Sequence, residues 1–115
     1  MVGIDLGSRS IKIVQMHGNT INASQIYDTI WFYRQYGGRG IPNLKIDLDE
    51  LGFDGRNGLV ATGYGKITIQ VEGAIHLPEI QAHVKGAVFQ TGLPDFTLLD
   101  IGGQDTKVVK IRAGR

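Results

Sequence analysis

The chain has 115 residues, which is enough for one domain or for one domain and the beginning of a second. Its formal net charge is +1 and it has no cysteine, which argues against a polybasic surface and excludes disulfides and thiolate-built metal or cluster sites. Charged residues early in the chain interrupt any secretory signal, and no apolar run is long enough to span a membrane. We therefore expect a cytoplasmic protein that binds neither nucleic acid nor membrane.

The N-terminal residues predict three antiparallel strands. Short apolar runs indicate strands over 2–6, 11–16 and 20–26. Residues 7–10 read as a turn, and Gly18-Asn19 is typical of a tight hairpin connection. The first part of the chain is therefore predicted to be a three-stranded meander.

Helices and strands alternate in the remainder of the chain. Residues 27–40 are aromatic and then glycine-rich, which predicts an apolar stretch followed by a flexible loop. Apolar residues recur with the helical period from Ile41 to Gly52, so we expect a helix of about three turns there. Further elements are predicted as a strand over 58–63, a strand or loop over 66–73, a helix over 79–90, and a hairpin made of "FTLLDIG" and "KVVKI". The order β-β-β-α-β-α followed by a β-hairpin predicts an α/β, ribonuclease H-like domain.

One pattern of residues occurs at both ends of the chain. "GIDLGSRSIKIV" at 3–14 and "LLDIGGQDTKVV" at 98–109 each place Lys seven positions after Asp, with Gly between them. An Asp that closes a buried strand and is followed by such a turn puts a carboxylate beside backbone N–H groups that bind anions. The carboxylate can also hold a hydrated Mg²⁺ that bridges phosphate oxygens. Two such turns predict a clamp around a polyphosphate.

The other common phosphate and catalytic motifs are missing from the sequence. Lys66 in "TGYGKIT" is followed by Ile67, which breaks a P-loop, and no dinucleotide-binding glycine fingerprint is present. The three histidines do not cluster with other ligands in the sequence and are read as surface or core residues. The two Asp-Gly turns are therefore the principal candidate site.

These stretches resemble a known superfamily. "GIDLGSRSIK" and "LLDIGGQDTK" resemble the phosphate-1 and phosphate-2 loops of the actin, heat-shock chaperone and sugar-kinase ATPases. Within it, the chain most resembles the activator ATPases of 2-hydroxyacyl-CoA dehydratases and benzoyl-CoA reductases. "ATGYGK" at 61–66 and "EIQAHVKGA" at 79–87 are similar to two further motifs of that family, with departures at Lys66 and Val84. The resemblance covers the chain except for about residues 27–57.

The resemblance implies an ATP-binding site with bound Mg²⁺. Carried over by position, Asp5 and Asp100 would organise the metal and the attacking water, and Glu79 would orient water. The residues that would line the phosphates or support the loops are Gly7, Ser8, Arg9, Ser10, Lys12, Gly102, Gly103, Gln104, Asp105 and Lys107. The implied chemistry is phosphoryl transfer to water through positioning and charge stabilisation.

The resemblance also implies partners and a larger architecture. Members of this family are homodimers that use ATP to drive an electron from a [4Fe–4S] cluster, held by cysteines, into a CoA-ester dehydratase or reductase. A chain without cysteine does not hold that cluster. Because the second phosphate loop opens domain II in such proteins, we expect 1–94 to form the actin-like domain I and 95–115 to form the first hairpin of domain II. We therefore expect an N-terminal fragment with half a nucleotide site that is inactive alone. Its last hairpin is expected to pack on domain I or on a second copy.

Two alternatives stay open at the level of the sequence. One is a fragment of a sugar or small-molecule kinase of the same superfamily. The other is a non-catalytic ATP-binding or interaction module that keeps the fold.

Overall fold

The N-terminal residues form the antiparallel half of a five-stranded sheet. The computed structural model describes residues 1–38, 41–63, 70–101 and 106–113. The first three strands are β1 (Val2–Leu6), β2 (Ser10–His17) and β3 (Thr20–Asp28). The turn at Gly18 and Asn19 has Gly18 in the left-handed region at φ 59°, as a two-residue hairpin connection requires. The predicted meander is confirmed.

Two further strands complete this sheet on the other side of β1. They are β6 (Leu59–Gly63) and β8 (Ile75–His76), which give the strand order β3-β2-β1-β6-β8. The pairs β1–β6 and β6–β8 are parallel, whereas β1–β2 and β2–β3 are antiparallel. A parallel pair needs a crossover connection, and the chain between β3 and β6 supplies it. The structure thus has the α/β architecture that the order of elements predicts.

The core lies on one face of this sheet. Val2, Ile4 and Leu6 alternate along β1 with half-buried residues, and their exposed fractions are 2% or less. Ile11 and Ile13 on β2 are fully buried and pair with Leu6 and Ile4. Because side chains alternate along a strand, Gly3 and Asp5 lie on the opposite face.

The first helix lies earlier in the chain than the sequence predicts. Helix α1 (Thr29–Tyr36) occupies a stretch that we expected to be an apolar run and a loop. The Asp28 carboxylate caps it by accepting a hydrogen bond of 3.0 Å from the Trp31 N–H. Phe32 is fully buried and Tyr36 nearly so. The burial of these aromatic side chains therefore stabilises the helix, although few of the eight residues in it are strong helix formers.

The long helix predicted from Ile41 to Gly52 is wrong. The structure has a strand, β5 (Ile41–Leu44), and a single helical turn, α2 (Leu48–Leu51). Strand β5 pairs with β4 (Gly37–Gly38) and with β7 (Gln70–Val71) in a small second sheet, where Leu44 is 2% exposed. Asp47 has extended backbone and caps α2 by accepting from the Glu50 N–H. The apolar residues that were expected to share one helix therefore belong to two elements, a strand and a short helix. Gly52 ends α2 as predicted, with φ at 87°.

The last part of the chain contains a helix and a hairpin. Contacts divide the chain into two compact units, Met1–Pro78 and Glu79–Arg115. The second unit holds α3 (Glu79–Thr91) and the antiparallel strands β9 (Phe96–Ile101) and β10 (Thr106–Ile111), which confirms the predicted helix and hairpin. The expected domain boundary between residues 94 and 95 stays a prediction. None of the helices that the structure describes is long and apolar enough to span a membrane.

Candidate functional site

The carboxyl ends of β1 and β6 bring the first group of predicted site residues together. Asp5 is half-buried, on the sheet face opposite the core. It lies directly across from Lys12 on β2 and from Thr62 on β6. In parallel strands the carboxyl ends share one edge of the sheet, where ligands of α/β proteins commonly bind. Asp5, Lys12 and Thr62 therefore form one cross-strand row that holds a carboxylate, an amino group and a hydroxyl.

The turn after Asp5 is closed tightly by its own backbone. The Gly7 N–H donates to the Ser10 carbonyl oxygen at 3.0 Å. A Cβ atom at Gly7 would overlap that same oxygen, so the turn requires glycine for space. The chain's own backbone thus occupies the space that a side chain at position 7 would need. The role of Gly7 in phosphate binding stays a prediction.

A second glycine is required beside this turn. Gly63 ends β6 and pairs with Leu6 at the end of β1. Its φ is 107°, and a Cβ atom there would overlap the Leu6 carbonyl oxygen. The backbones that follow Asp5 and Thr62 thus approach each other as closely as a residue without a side chain allows. The neighbouring residues 64–69, which include Lys66, lie outside the described part of the chain.

Thr29 at the start of α1 holds the turn from the other side. Its hydroxyl donates to the Gly7 carbonyl oxygen at 2.8 Å, and its backbone N–H donates to the Arg9 carbonyl oxygen at 3.1 Å. The side chain is only 6% exposed. The hydrogen bonds of the described residues include none donated by the N–H groups of Ser8 or Arg9. The carbonyl oxygens of Gly7 and Arg9 therefore face Thr29, and the N–H groups of Ser8 and Arg9 are available for an anion.

The second predicted phosphate loop repeats the register of the first. Asp100 pairs directly with Lys107 across β9 and β10, as Asp5 does with Lys12 across β1 and β2. In both hairpins four residues connect the last paired positions, Leu6 with Ile11 and Ile101 with Thr106. Of the predicted residues of this loop, Gly102, Gly103, Gln104 and Asp105 lie outside the described part of the chain. Their contacts, and the facing of the two loops, stay predictions.

Glu79, the residue predicted to orient water, lies in the first turn of α3. Its carboxylate is 3.9 Å from the Nε2 atom of His83, one helical turn later. An acidic side chain at this position also favours the helix N-terminus. The structure thus gives Glu79 a role within its own helix, and its catalytic role stays a prediction.

The residues at Asp5 fit a magnesium ion held together with a nucleotide. Within the described ranges, no group of three or more His, Asp or Glu side chains is placed to hold a metal by itself. Mg²⁺ in phosphate-transferring sites usually needs only one or two carboxylates, with phosphates and water as its other ligands. Asp5 at the mouth of the sheet suits that role. A [4Fe–4S] cluster does not fit, because the chain has no thiolate ligand.

Comparisons with known proteins give the same picture. No protein-family model matches the chain. An uncharacterized protein of Methanocaldococcus jannaschii is 35% identical over 114 residues, covering 96% of this chain and 43% of that protein. The activator of lactoyl-CoA dehydratase from Anaerotignum propionicum is 31% identical over 116 residues, covering 96% of this chain and 41% of the activator.

Two solved structures share the fold over almost the whole chain. Component A of the (R)-2-hydroxyglutaryl-CoA dehydratase from Acidaminococcus fermentans superposes with a TM-score of 0.68 at 26% identity, over 99% of this chain and 43% of that one. The activator of the 2-hydroxyisocaproyl-CoA dehydratase from Clostridium difficile, with bound ADPNP, gives 0.65 at 25% identity, over 100% and 42%. This chain is related to the 2-hydroxyacyl-CoA dehydratase activators. The resemblance seen in the sequence and the ribonuclease H-like, actin-like fold class are confirmed.

The chain spans less than half the length of the relatives reported above.

Sequence reasoning missed three residues of the candidate site. Thr62 and Gly63 belong to the "ATGYGK" motif, which supported the activator resemblance without being assigned a place at the site. Thr29 had only a weak signal, an Asp-Thr pair before an apolar run, which is typical of a helix start.

Proposed function

We propose that this chain provides part of the nucleotide site of an activator-type ATPase. The turn Gly7–Ser10 would hold phosphate oxygens, Asp5 would hold Mg²⁺ and orient the attacking water, and Lys12 would add positive charge. The observation that carries the proposal is the turn itself: the carbonyl oxygens of Gly7 and Arg9 accept hydrogen bonds from Thr29, while no described residue accepts from the Ser8 and Arg9 N–H groups. The bound ADPNP in a structural relative supports the choice of nucleotide.

A second phosphate-binding loop, between β9 and β10, is proposed from the repeated sequence and register. Asp100 and Lys107 would act as Asp5 and Lys12 do, and the backbone of 102–105 would contact the phosphates. Asp105 would support that loop, and Glu79 would orient water. The chemistry would be phosphoryl transfer to water, in which the protein contributes positioning and charge stabilisation.

The biological role is proposed from the relatives. An ATPase of this type would activate a 2-hydroxyacyl-CoA dehydratase in the cytoplasm by ATP-driven electron transfer, as a homodimer. The cluster that carries the electron would have to be bound by residues other than those of this cysteine-free chain. A benzoyl-CoA reductase as partner stays a prediction from the sequence resemblance. We expect the chain alone to hydrolyse ATP very slowly, because it spans less than half the length of the related activators.

Calorimetric titration with ADPNP, with and without Mg²⁺, tests the proposal. We expect Mg²⁺ to tighten binding by the 115-residue chain. Asp5→Asn should lose about tenfold in affinity and most of the Mg²⁺ dependence, in line with the worth of a charged contact. Asp49→Asn makes the same change on the exposed surface of α2 and should bind like the unmodified chain. Mg²⁺-dependent binding that is equal in all three proteins would contradict the assignment of Asp5.

A further inference from the structure

Thr29 is the buried polar side chain of the described residues, with an exposed fraction of 6%. A buried hydroxyl needs a hydrogen-bond partner, and an unmade bond is costly. The partner here is the Gly7 carbonyl oxygen, 2.8 Å away and 22 positions earlier in the chain. The hydroxyl of this buried threonine is therefore bonded to the backbone of the phosphate-loop candidate.

The backbone of Thr29 makes a second bond to the same turn. N–H groups in the first turn of a helix have no acceptor within the helix. The Thr29 N–H finds one in the Arg9 carbonyl oxygen at 3.1 Å. One residue thus binds two carbonyl oxygens of the turn, Gly7 at its beginning and Arg9 near its end.

These two bonds fix the orientation of two peptide planes. A trans peptide is planar, so the N–H of the following residue points opposite to the carbonyl. The described residues contain no cis peptide bond. Since the carbonyls of Gly7 and Arg9 point toward Thr29, the N–H groups of Ser8 and Ser10 point away from it. Neither N–H group is therefore turned toward Thr29.

We propose that Thr29 is a positioning residue of the phosphate loop. It holds the carbonyl oxygens of Gly7 and Arg9 against the start of α1, so that the N–H groups of Ser8 and Ser10 meet the bound phosphate. A carbonyl oxygen turned toward the phosphate would repel it, because the partial negative charge of the oxygen would face a phosphate anion. The identity of the ligand rests on the proposed function, whereas the orientation of the turn does not.

The orientation can be measured without ligand. Thr29→Val keeps the shape of the side chain and removes the hydroxyl, and Thr29→Ser keeps the hydroxyl. By NMR, the Gly7 carbonyl carbon and the Ser8 amide should shift in Thr29→Val and stay close to the unmodified values in Thr29→Ser. Thr91→Val is the matched control, because the Thr91 hydroxyl also bonds a backbone carbonyl, at 2.7 Å on the exposed side of α3. Unchanged Gly7 and Ser8 resonances in Thr29→Val would overturn the proposal.

Titration with Mg-ADPNP then tests the consequence for binding. Thr29→Val should bind about fivefold to tenfold more weakly, Thr29→Ser within about twofold of the unmodified chain, and Thr91→Val equally well. An equal loss in Thr29→Val and Thr29→Ser would overturn the role of the hydroxyl. If the unmodified chain does not bind, the proposed function fails, and the ligand-free shifts still decide the orientation. If Thr29→Val does not fold, the amides of Ser8 and Ser10 in the unmodified chain decide. Their shifts on ligand addition are expected to be among the largest of the chain, and their absence contradicts the proposal.

Discussion

The two hairpins that carry the repeated sequence pattern differ sharply in their surroundings. In the hairpin β1–β2, Ile11 and Ile13 are fully buried and Leu6 is 2% exposed. In the hairpin β9–β10, Leu99 is 57% exposed and Val108 is 69% exposed. The pattern sets the same Asp–Lys pairing in both hairpins, and it does not set how deeply either one is buried.

Neighbouring strands make the difference. The hairpin β1–β2 lies between β3 and β6 in a five-stranded sheet, whereas β9 and β10 form a two-stranded sheet in the described structure. The turn of the first hairpin is anchored by the Thr29 hydroxyl. A local motif therefore specifies a turn and a register, and the surrounding fold supplies the rigidity that a binding site needs.

The largest expected effect comes from replacing one leucine by alanine in each hairpin. Leu6→Ala should lower the free energy of unfolding by about 2–5 kcal/mol, because it leaves a cavity in the core. Leu99→Ala should change it by about 0.5 kcal/mol or less, as exposed substitutions usually do. Urea unfolding of the two variants measures both values. Similar losses in the two proteins would show that the hairpins are equally buried in solution.

The glycines of the first hairpin give a second contrast. Gly7→Ala should destabilise the chain by about 1–3 kcal/mol, because the added methyl group overlaps the Ser10 carbonyl oxygen. Gly3→Ala is the control, since nothing lies within 4 Å of a Cβ atom there. Thermal unfolding separates the two variants. A Gly7→Ala protein as stable as Gly3→Ala would mean that the turn is looser than the structure shows.

A third variant asks whether polar bonds in the core beneath the first hairpin matter. Tyr36 packs on Phe32 with ring centroids 5.0 Å apart, and no described residue hydrogen-bonds its buried hydroxyl. Burial, with the nearby charges of Glu50 and Asp47, raises the pKa of Tyr36. Tyr36→Phe should therefore keep the unfolding free energy or raise it by up to about 1 kcal/mol, because it removes an unbonded polar group.

Urea unfolding measures this effect, with Tyr27→Phe as the control. Tyr27 lies at the end of β3 and is only half-buried, so the loss of its hydroxyl is expected to have little effect. A clear loss of stability in Tyr36→Phe would reveal a partner for its hydroxyl. The stability of the first hairpin would then depend on polar bonds as well as on apolar packing.

The smallest expected effect concerns the loop beside the first hairpin. The Asp54 N–H donates to the Gln15 Oε1 atom of β2 at 2.6 Å. Hydrogen bonds from the Arg56 side chain, and from its backbone N–H, lower the pKa of Asp54 to about 2. A lowered pKa favours the folded chain above the unfolded value of about 4, and this contribution is lost as the pH falls through about 2.

Carboxyl-carbon NMR titration measures this pKa directly. Arg56→Ala should return the pKa of Asp54 toward its ordinary range, with little change in stability at neutral pH, because the pair is exposed. Lys45→Ala removes another exposed cation and is the control. An Asp54 pKa that stays at about 2 in Arg56→Ala would mean that the Arg56 side chain is not its main cause.

How far the sequence predicts the fold depends on how local each feature is. The meander was predictable because alternation and the Gly18-Asn19 turn act over a few residues. Helix α1 was missed because its stability comes from burying Phe32 and Tyr36, which no local propensity shows. The apolar periodicity after Ile41 was misleading because pairing with β7 overrides it.

The site divides in the same way. Asp5, Gly7 and Lys12 were found from their spacing within one hairpin. Thr62 reaches Asp5 only through the parallel pairing of β1 with β6, and Thr29 reaches the turn only through the start of α1. Contacts between residues so distant in sequence depend on the completed fold.

The most direct test of the phosphate-binding claim is a residue-by-residue map of nucleotide binding. In a ¹H–¹⁵N NMR titration of the 115-residue chain with Mg-ADPNP, the largest amide shifts are predicted at Ser8, Arg9 and Ser10. The two-residue turn at Gly18 and Asn19 serves as an internal control, because it is an exposed hairpin turn without an Asp or an anchor. Shifts confined to other parts of the chain, or equal shifts in both turns, would contradict the claim.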